Sequence, residues 1–467
     1  MTSTHVAVIG AGTAGLAAWR AATAAGKRAV LIEQGPGGTT CARVGCMPSK
    51  LLIAAAEAAH GVERWTEFGL RLDGAMRVDG RAVMARVRRE RDRFVGFVLE
   101  GVARIPDAAR VRGRARFVGP QAIEVEGAGR IEFATAVIAT GSSPSVPPIL
   151  RGAADRLVIN DDLFAWQDLP RSVAVFGPGV IGLELGQALA RLGVRVRMFG
   201  VGGLVGPFSD PALRDYAQAT FNKEFPLDAD AKVVAVRRTD AGVEIRFREG
   251  DRETIESFDY LLAATGRAPN VRGLGLEHTG TALDAKGVPL FDRQTMQCGA
   301  SRIFIAGDAN NDAPLLHEAA DEGRIAGDNA ARYPAVKAGH RRTPLGIVFT
   351  DPQLAVVGKR YAELPAGRWV AGEVSFEDQG RSRVMLRNKG LARLYAEIGS
   401  GRVLGAELMG PDAEHLAHLL AWGIQAGMTV PKMLEMPFYH PVVEEGLRSA
   451  LRDAQAKLEV PQERRAA

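Results

Sequence analysis

The chain has 467 residues, 46% of them apolar and 24% charged, which excludes a disordered, core-poor polymer and implies about two to four domains. Its net charge of +5 is spread without a long Lys/Arg tract, which argues against nucleic-acid binding despite a sequence pI near 9.2. Three cysteines, Cys41, Cys46 and Cys298, are too few for a secreted disulfide scaffold and point to a reducing, cytoplasmic setting. No apolar stretch approaches the roughly 20 residues of a bilayer span, and MTSTHVAVIGAGTAG reads as a mature start that runs straight into a folded domain.

In chain order, HVAVIG (5–10) reads as a strand, the alanine-rich segment ending near Gly26 as a helix, and RAVLIE as a second strand. The turn between the first two is Gly10-x-Gly12-x-x-Gly15, and Glu33 closes the second strand. That combination is a dinucleotide-binding unit: the glycines permit a tight turn and close approach to a pyrophosphate, the helix N-terminus offers N–H groups, and the acid accepts from a ribose. The pattern returns at SVAVFG, PGVIGLELGQALARLG and VRVRMFG, with Gly177, Gly179 and Gly182 in the glycine positions, so two dinucleotides are implied. In the second unit the strand ends on Gly200, where an acid would argue for NAD and an arginine for NADP. Arg195 and Arg197 lie on that strand with their directions open, which leaves the nicotinamide cofactor as NAD with NADP not excluded.

The runs AVIATGSS, LLAATGRAPN and RIFIAGDAN read as buried strands that emerge into exposed turns. From about residue 343 the chain mixes strands such as GRWVAGEVSF with helices such as AEHLAHLLAWGIQAG, and it is assigned to a separate C-terminal domain. The tail PQERRAA reads as frayed.

The most specific local feature is Cys41-Ala-Arg-Val-Gly-Cys46-Met-Pro-Ser-Lys50 ahead of the helix-favouring LLIAAAEAA. A metal site needs further ligands at matching spacing, whereas a redox dithiol needs only the two sulfurs. Sulfurs at a helix start, with Lys50 four residues after Cys46, favour thiolate; a buried structural pair is the competing reading. Cys298 stands alone as a small buried or partly exposed residue. His415 and His418, three apart on an expected helix, lack a third ligand, and no metal site is expected.

With GAGTAG, the C-x4-C followed by MPSK, ATGS, GPGVIGLELG, TGRAPN, IFIAGDA, FTDPQLAVVG and Tyr439-His440-Pro441 with Glu445, nearly the whole chain resembles the class I pyridine nucleotide-disulfide oxidoreductases. The resemblance implies an α/β fold of two Rossmann-like dinucleotide-binding domains plus an α+β C-terminal dimerisation domain. It divides the chain into an FAD-binding part (1–145), an NAD(P)-binding domain (146–270), a central second part of the FAD domain (271–342) and an interface domain (343–467). It implies FAD on the first fingerprint, NAD or NADP on the second, and a homodimer with a shared active site. Asp308 would contact FAD, and Lys50 would lie beside the flavin paired with Glu184. Cys46 would be the flavin-proximal thiolate and Cys41 the interchange thiol, while His440 from the other subunit, oriented by Glu445, would be the general acid/base. The further cofactor-binding positions it implies are Thr40, Ala115, Thr140, Gly141, Leu316, Ile181, Gly266 and Arg267.

Within the family, VIGLELG and the run Leu316-His317-Glu318-Ala319 are most similar to dihydrolipoamide dehydrogenase. Glutathione reductases typically carry a Lys where this chain has Ser49, and mercuric and large thioredoxin reductases carry a further C-terminal thiol or selenol pair where this chain ends in VPQERRAA. Three departures stand out: Gly200 for the acid, Thr39 for a glycine, and Arg43 for an Asn in the cysteine loop. The expected activity is electron transfer from dihydrolipoamide through the Cys41/Cys46 disulfide and FAD to NAD, on a small-molecule or lipoyl-protein dithiol, with no nucleic-acid or membrane partner. Reduction of another disulfide, a flavin NAD(P)H oxidase or transhydrogenase, and a non-catalytic redox sensor are the alternatives.

Overall fold

A computed structural model describes residues 2–460; the PQERRAA tail begins at position 461 and lies outside them. The chain divides into two compact units, each assembled from three stretches of sequence.

The first unit takes the chain up to Pro48 together with Arg88–Ser145 and Arg267–Arg341. It opens with strand β1 (Thr2–Ile9), helix α1 (Thr13–Ala24) and strand β2 (Ala29–Glu33), paired in parallel with Val6 opposite Ala29 and Ile9 opposite Ile32. Val6 to Ile9 and Ala29 to Ile32 are buried on both faces, so these strands read as continuous apolar runs rather than alternating ones. Strand Gly129–Ile138 lies on the other side of β1 in parallel, and Ile303–Ile305 extends the sheet beyond it. Two short strands, Ala115–Gly119 and Ala122–Val125, add an antiparallel edge, and Arg110–Arg112 pairs in parallel with β2, giving a seven-stranded mixed sheet. Helix Leu316–Arg332 packs closely on α1, because Gly323 and Gly327 meet the Ala14 and Ala18 backbone where a Cβ would collide with the carbonyl oxygens. After β2 come the five-residue helix α2 (Thr40–Val44) and the sixteen-residue helix α3 (Cys46–Gly61).

The second unit comprises Ser49–Val87, Val146–Gly266 and the chain from Arg342 onward. Strand β3 (Ser172–Phe176), helix α4 (Val180–Arg191) and strand β4 (Arg195–Phe199) repeat the strand–helix–strand pattern inside a parallel five-stranded sheet. A three-stranded antiparallel sheet spans Lys232–Phe258. From Leu345 a five-stranded antiparallel sheet is covered by helices Ala413–Gln425 and Glu445–Glu459, whose Leu416, Leu420, Leu447 and Leu451 are buried. The mixed α/β architecture is that expected. No helix among the described residues is long and apolar enough to cross a membrane.

Candidate functional site

In the first unit, β1 delivers the chain into Gly10, whose φ of +105° and contact with the Ala139 carbonyl leave no place for a side chain. Gly15 sits as tightly against the Gly10 carbonyl, while Gly12 faces open space. The Glu33 carboxylate accepts from Ala11 N at 2.8 Å and from Gly35 N at 2.6 Å. This cradle fits the pyrophosphate and ribose of a dinucleotide: backbone approach is open at Gly12, helix α1 begins there, and an acid is fixed at the strand end.

In the same unit, strand Ile303–Ile305 leads into the turn Gly307–Asn310, which carries Asp308. Ser142 Oγ donates to Asp308 at 2.6 Å, and Arg267 Nε donates to Ser142 Oγ at 2.8 Å. Thr140 Oγ1 donates to the Asn270 carbonyl at 2.7 Å, and Gly141 accepts from Asn270 N at 2.9 Å with its own φ at +68°. Ser142 and Asn270 were not singled out from sequence, although both stand inside the quoted ATGS and TGRAPN runs. Glu322, fully buried, was also missed; it accepts from Gly307 N at 2.8 Å and Asn310 Nδ2 at 2.7 Å and pairs with Arg341, and burial pushes its carboxyl above the ordinary range. Ala115 is a buried strand residue opposite Val125, and Leu316 opens helix Leu316–Arg332 with a half-exposed side chain.

The cysteines do not share one helix start. Thr40 and Cys41 lie on α2, while Cys46 is the first residue of α3. Gly45 makes the break: a Cβ there would stand 3.1 Å from the Thr40 carbonyl oxygen and 3.2 Å from Cys41 Cα, so the missing side chain lets the turn fold back on Cys41. Cys46 is exposed and Cys41 half-buried. Thr39, which caps α2, has φ 58° and ψ 151°, a region that glycine occupies and threonine enters only under strain. The Arg43 stem covers Gly38.

In the second unit, Gly177 (φ +101°) abuts Ala264 and Gly182 abuts the Gly177 carbonyl, while Gly179 faces open space and Ile181 is half-buried on α4. Gly266 turns at φ +98° after strand Tyr260–Ala263. The fit to a dinucleotide pyrophosphate is the same as at the first fingerprint. Arg195 pairs with Glu256 at 3.0 Å, and Arg197 pairs with Glu256 at 2.7 Å and Glu249 at 2.6 Å, so both are committed to the antiparallel sheet.

Lys50 Nζ donates to both carboxylate oxygens of Glu184, each at 2.8 Å, and lies 4.5 Å from the centre of the Phe349 ring. Phe349 N also donates to Glu184, at 3.0 Å. Glu184 is thus buried with its charge compensated by an ammonium and an amide. His440 is 80% exposed, with Nδ1 3.1 Å from Glu445 at the start of helix Glu445–Glu459. The hydrogen bond with His440 holds the Glu445 carboxyl below its ordinary range.

Cys298 is fully buried, and desolvation pushes its thiol up to about 12, so it stays protonated at neutral pH. Of the two expected placements, buried or partly exposed, the first holds. His418 engages the Glu414 carbonyl in its own helix, and among the described residues no group of three His, Cys, Asp or Glu is arranged to hold a metal.

The family profile of pyridine nucleotide-disulphide oxidoreductases matches residues 4–323, and that of their dimerisation domain matches 345–451. A mercuric reductase of Acidithiobacillus ferrooxidans is 32% identical over 96% of this chain and 82% of its own. A dihydrolipoyl dehydrogenase of Bacillus subtilis is 29% identical over 96% and 97%. Among solved structures, LpdA from Mycobacterium tuberculosis matches with TM-score 0.81 at 25% identity, covering 97% of this chain and 99% of its own. RclA from Escherichia coli, described as an HOCl-induced flavoprotein disulfide reductase solved with Cu(II), shares the fold with TM-score 0.82 at 23% identity over 98% and 100%. The chain belongs to the class I pyridine nucleotide-disulfide oxidoreductases, flavoprotein enzymes that use FAD and NAD(P).

Proposed function

We propose that the protein oxidises dihydrolipoamide, free or carried on a lipoyl protein, at a Cys41/Cys46 redox pair. The observation that carries this reading is the local geometry of the pair: Cys46 is exposed as the first residue of a sixteen-residue helix, and Gly45 folds the preceding turn back on Cys41. A helix N-terminus stabilises thiolate, the form that attacks and leaves in disulfide exchange.

The substrate thiolate attacks Cys41 Sγ of the oxidised pair, forming a mixed disulfide and releasing Cys46 as thiolate. The second substrate thiol then attacks its own neighbouring sulfur, closing the substrate disulfide and releasing Cys41. His440, oriented by Glu445, takes the proton of the first incoming thiol, the proton of the second passes to the departing Cys41 sulfur, and in a homodimer built on residues 343–467 His440 serves the pair of the other copy. Lys50, held by Glu184, places a positive charge one helical turn after Cys46. FAD, when bound to the parts 1–145 and 271–342, together with nicotinamide dinucleotide on 146–270, supplies the two-electron exchange between sulfur and nicotinamide.

VIGLELG and the run Leu316–Ala319 support the dihydrolipoamide reading, as do the dihydrolipoyl dehydrogenases among the relatives. Thr39 and Arg43, beside the pair, favour a second reading: reduction of another disulfide or acceptor at the expense of NAD(P)H. Similarity to mercuric reductases is just as high as to dihydrolipoyl dehydrogenases. A steady-state panel separates the two: dihydrolipoamide with NAD or NADP, and oxidised glutathione or Hg(II) with NADH or NADPH. Dominant turnover of dihydrolipoamide supports the first reading; turnover confined to the NAD(P)H-driven arms selects the second.

A further inference from the structure

The end of β4 in a dinucleotide-binding unit faces the adenosine ribose, and a carboxylate there selects NAD while an arginine nearby selects NADP. In this protein the position is Gly200, and the packing keeps it glycine. A Cβ at Gly200 would stand 2.6 Å from the Ala229 carbonyl oxygen and 2.8 Å from Pro178 Cγ, the residue between the first two fingerprint glycines. The strand end is stitched to the next segment by Gly200 N donating to the Asp228 carbonyl at 2.7 Å and Ala231 N donating to the Gly200 carbonyl at 2.9 Å. Any larger residue must part these contacts.

The charged groups close to the strand end are already engaged. Arg195 and Arg197 are bound by Glu256 and Glu249 and stack over Phe258 and Phe247, each 4.4 Å from the ring centre. Asp228 accepts from Asp230 N, and Asp230 accepts from Gly202 N at 2.9 Å and pairs with Lys232 at 2.8 Å, so each carboxylate already has a local donor. What the loop presents outward is Val201, 84% exposed, followed by Gly202 and Gly203 in left-handed turns at φ +77° and +71°. An uncharged residue thus occupies the first position beyond the strand with a side chain that solvent reaches.

We propose that this site reads neither a ribose 2′-hydroxyl through a carboxylate nor a 2′-phosphate through a guanidinium, so the protein accepts NAD and NADP alike, and that Val201 is the position at which a preference can be written. The inference rests on the reading that the second fingerprint holds the nicotinamide dinucleotide. A charge-assisted hydrogen bond is worth about 1.5–3 kcal/mol, so its presence or absence separates affinities by about tenfold or more.

The test is calorimetric titration of NAD and of NADP into the oxidised, FAD-loaded protein, with Val201→Arg and Val201→Glu beside the wild type. Dissociation constants for NAD and NADP within tenfold of each other are expected. Val201→Arg is expected to tighten NADP at least fivefold, and Val201→Glu to weaken it at least fivefold, both with retained FAD absorbance. A wild-type preference beyond tenfold in either direction, no binding of either dinucleotide, or smaller shifts in both variants overturns the proposal. The proposed activity is judged separately, by bleaching of the flavin band with NADH and NADPH: equal affinities without bleaching refute the electron path and leave the inference standing.

Discussion

Lys50 and Glu184, 134 positions apart in sequence, meet so that one ammonium donates to both oxygens of one nearly buried carboxylate. The Lys50→Met variant leaves that carboxylate with the Phe349 amide as its remaining donor, a loss expected to cost about 3–5 kcal/mol. Thermal unfolding measures it. Adding Glu184→Gln is expected to recover part of the loss, because it removes the stranded charge, and an unchanged melting temperature in Lys50→Met would show that water reaches the carboxylate.

The role assigned to Cys46 has a spectroscopic signature. Two-electron reduction of the wild-type holoprotein is expected to give a long-wavelength charge-transfer band, and Cys46→Ser is expected to abolish it, while Cys41→Ser keeps a band from the remaining thiolate. A band retained in Cys46→Ser removes that residue from the flavin-proximal position.

His440→Gln is expected to lower turnover with dihydrolipoamide by two to four orders of magnitude, the usual range of general acid/base catalysis at about 10²–10⁴, with flavin content unchanged. The Glu445 carboxyl, held below its ordinary value of 4.5 by the hydrogen bond with His440, keeps its charge to lower pH than a free carboxylate. Its folded pKa is depressed, so the pairing contributes fully above pH 4.5 and is lost as pH falls through the lower folded value. A pH–rate profile should therefore show no Glu445 limb near neutrality, and Glu445→Gln should lower turnover across the neutral range rather than move a limb.

Thr39 holds a backbone conformation that glycine occupies freely. Such strain costs about 1–3 kcal/mol, partly offset in Thr39→Gly by the larger chain entropy of glycine, so a net gain of about 1 kcal/mol is expected. A higher melting temperature checks it. If stability rises while turnover falls, the strain serves to place Cys41.

Both strand–glycine–helix units could be read before any coordinate, because a parallel strand buried on both faces is a bare apolar run and the glycines that follow it are required sterically. The C-terminal mixture of strands and helices was legible in runs such as GRWVAGEVSF and AEHLAHLLAWGIQAG. The 24-residue helix Gly80–Ala103 was not: its stretch is so rich in arginine that only Met84 and Val87 are buried, and its apolar signal is weak. The three-stranded sheet Lys232–Phe258 was equally hidden, since its two outer strands are half-exposed and charged and only the middle one buries an apolar face, Val243, Ile245 and Phe247. At the sites, Ser142, Asn270 and Glu322 escaped notice because their importance lies in partners more than 12 positions away or in burial, neither of which spacing reveals.

Motif spacing pointed to the two strand–glycine–helix units and to the C-x4-C run, because each is a local feature: a glycine that must turn, a strand that must be apolar, two sulfurs five positions apart. Tertiary structure decided what depends on distant chain segments meeting. It tied Arg195 and Arg197 to Glu256 and Glu249 and buried Cys298 beyond ready ionisation. It also showed why Gly200 stands where an acid was expected: the carbonyl of Ala229, 29 residues later in the chain, occupies the space a side chain needs.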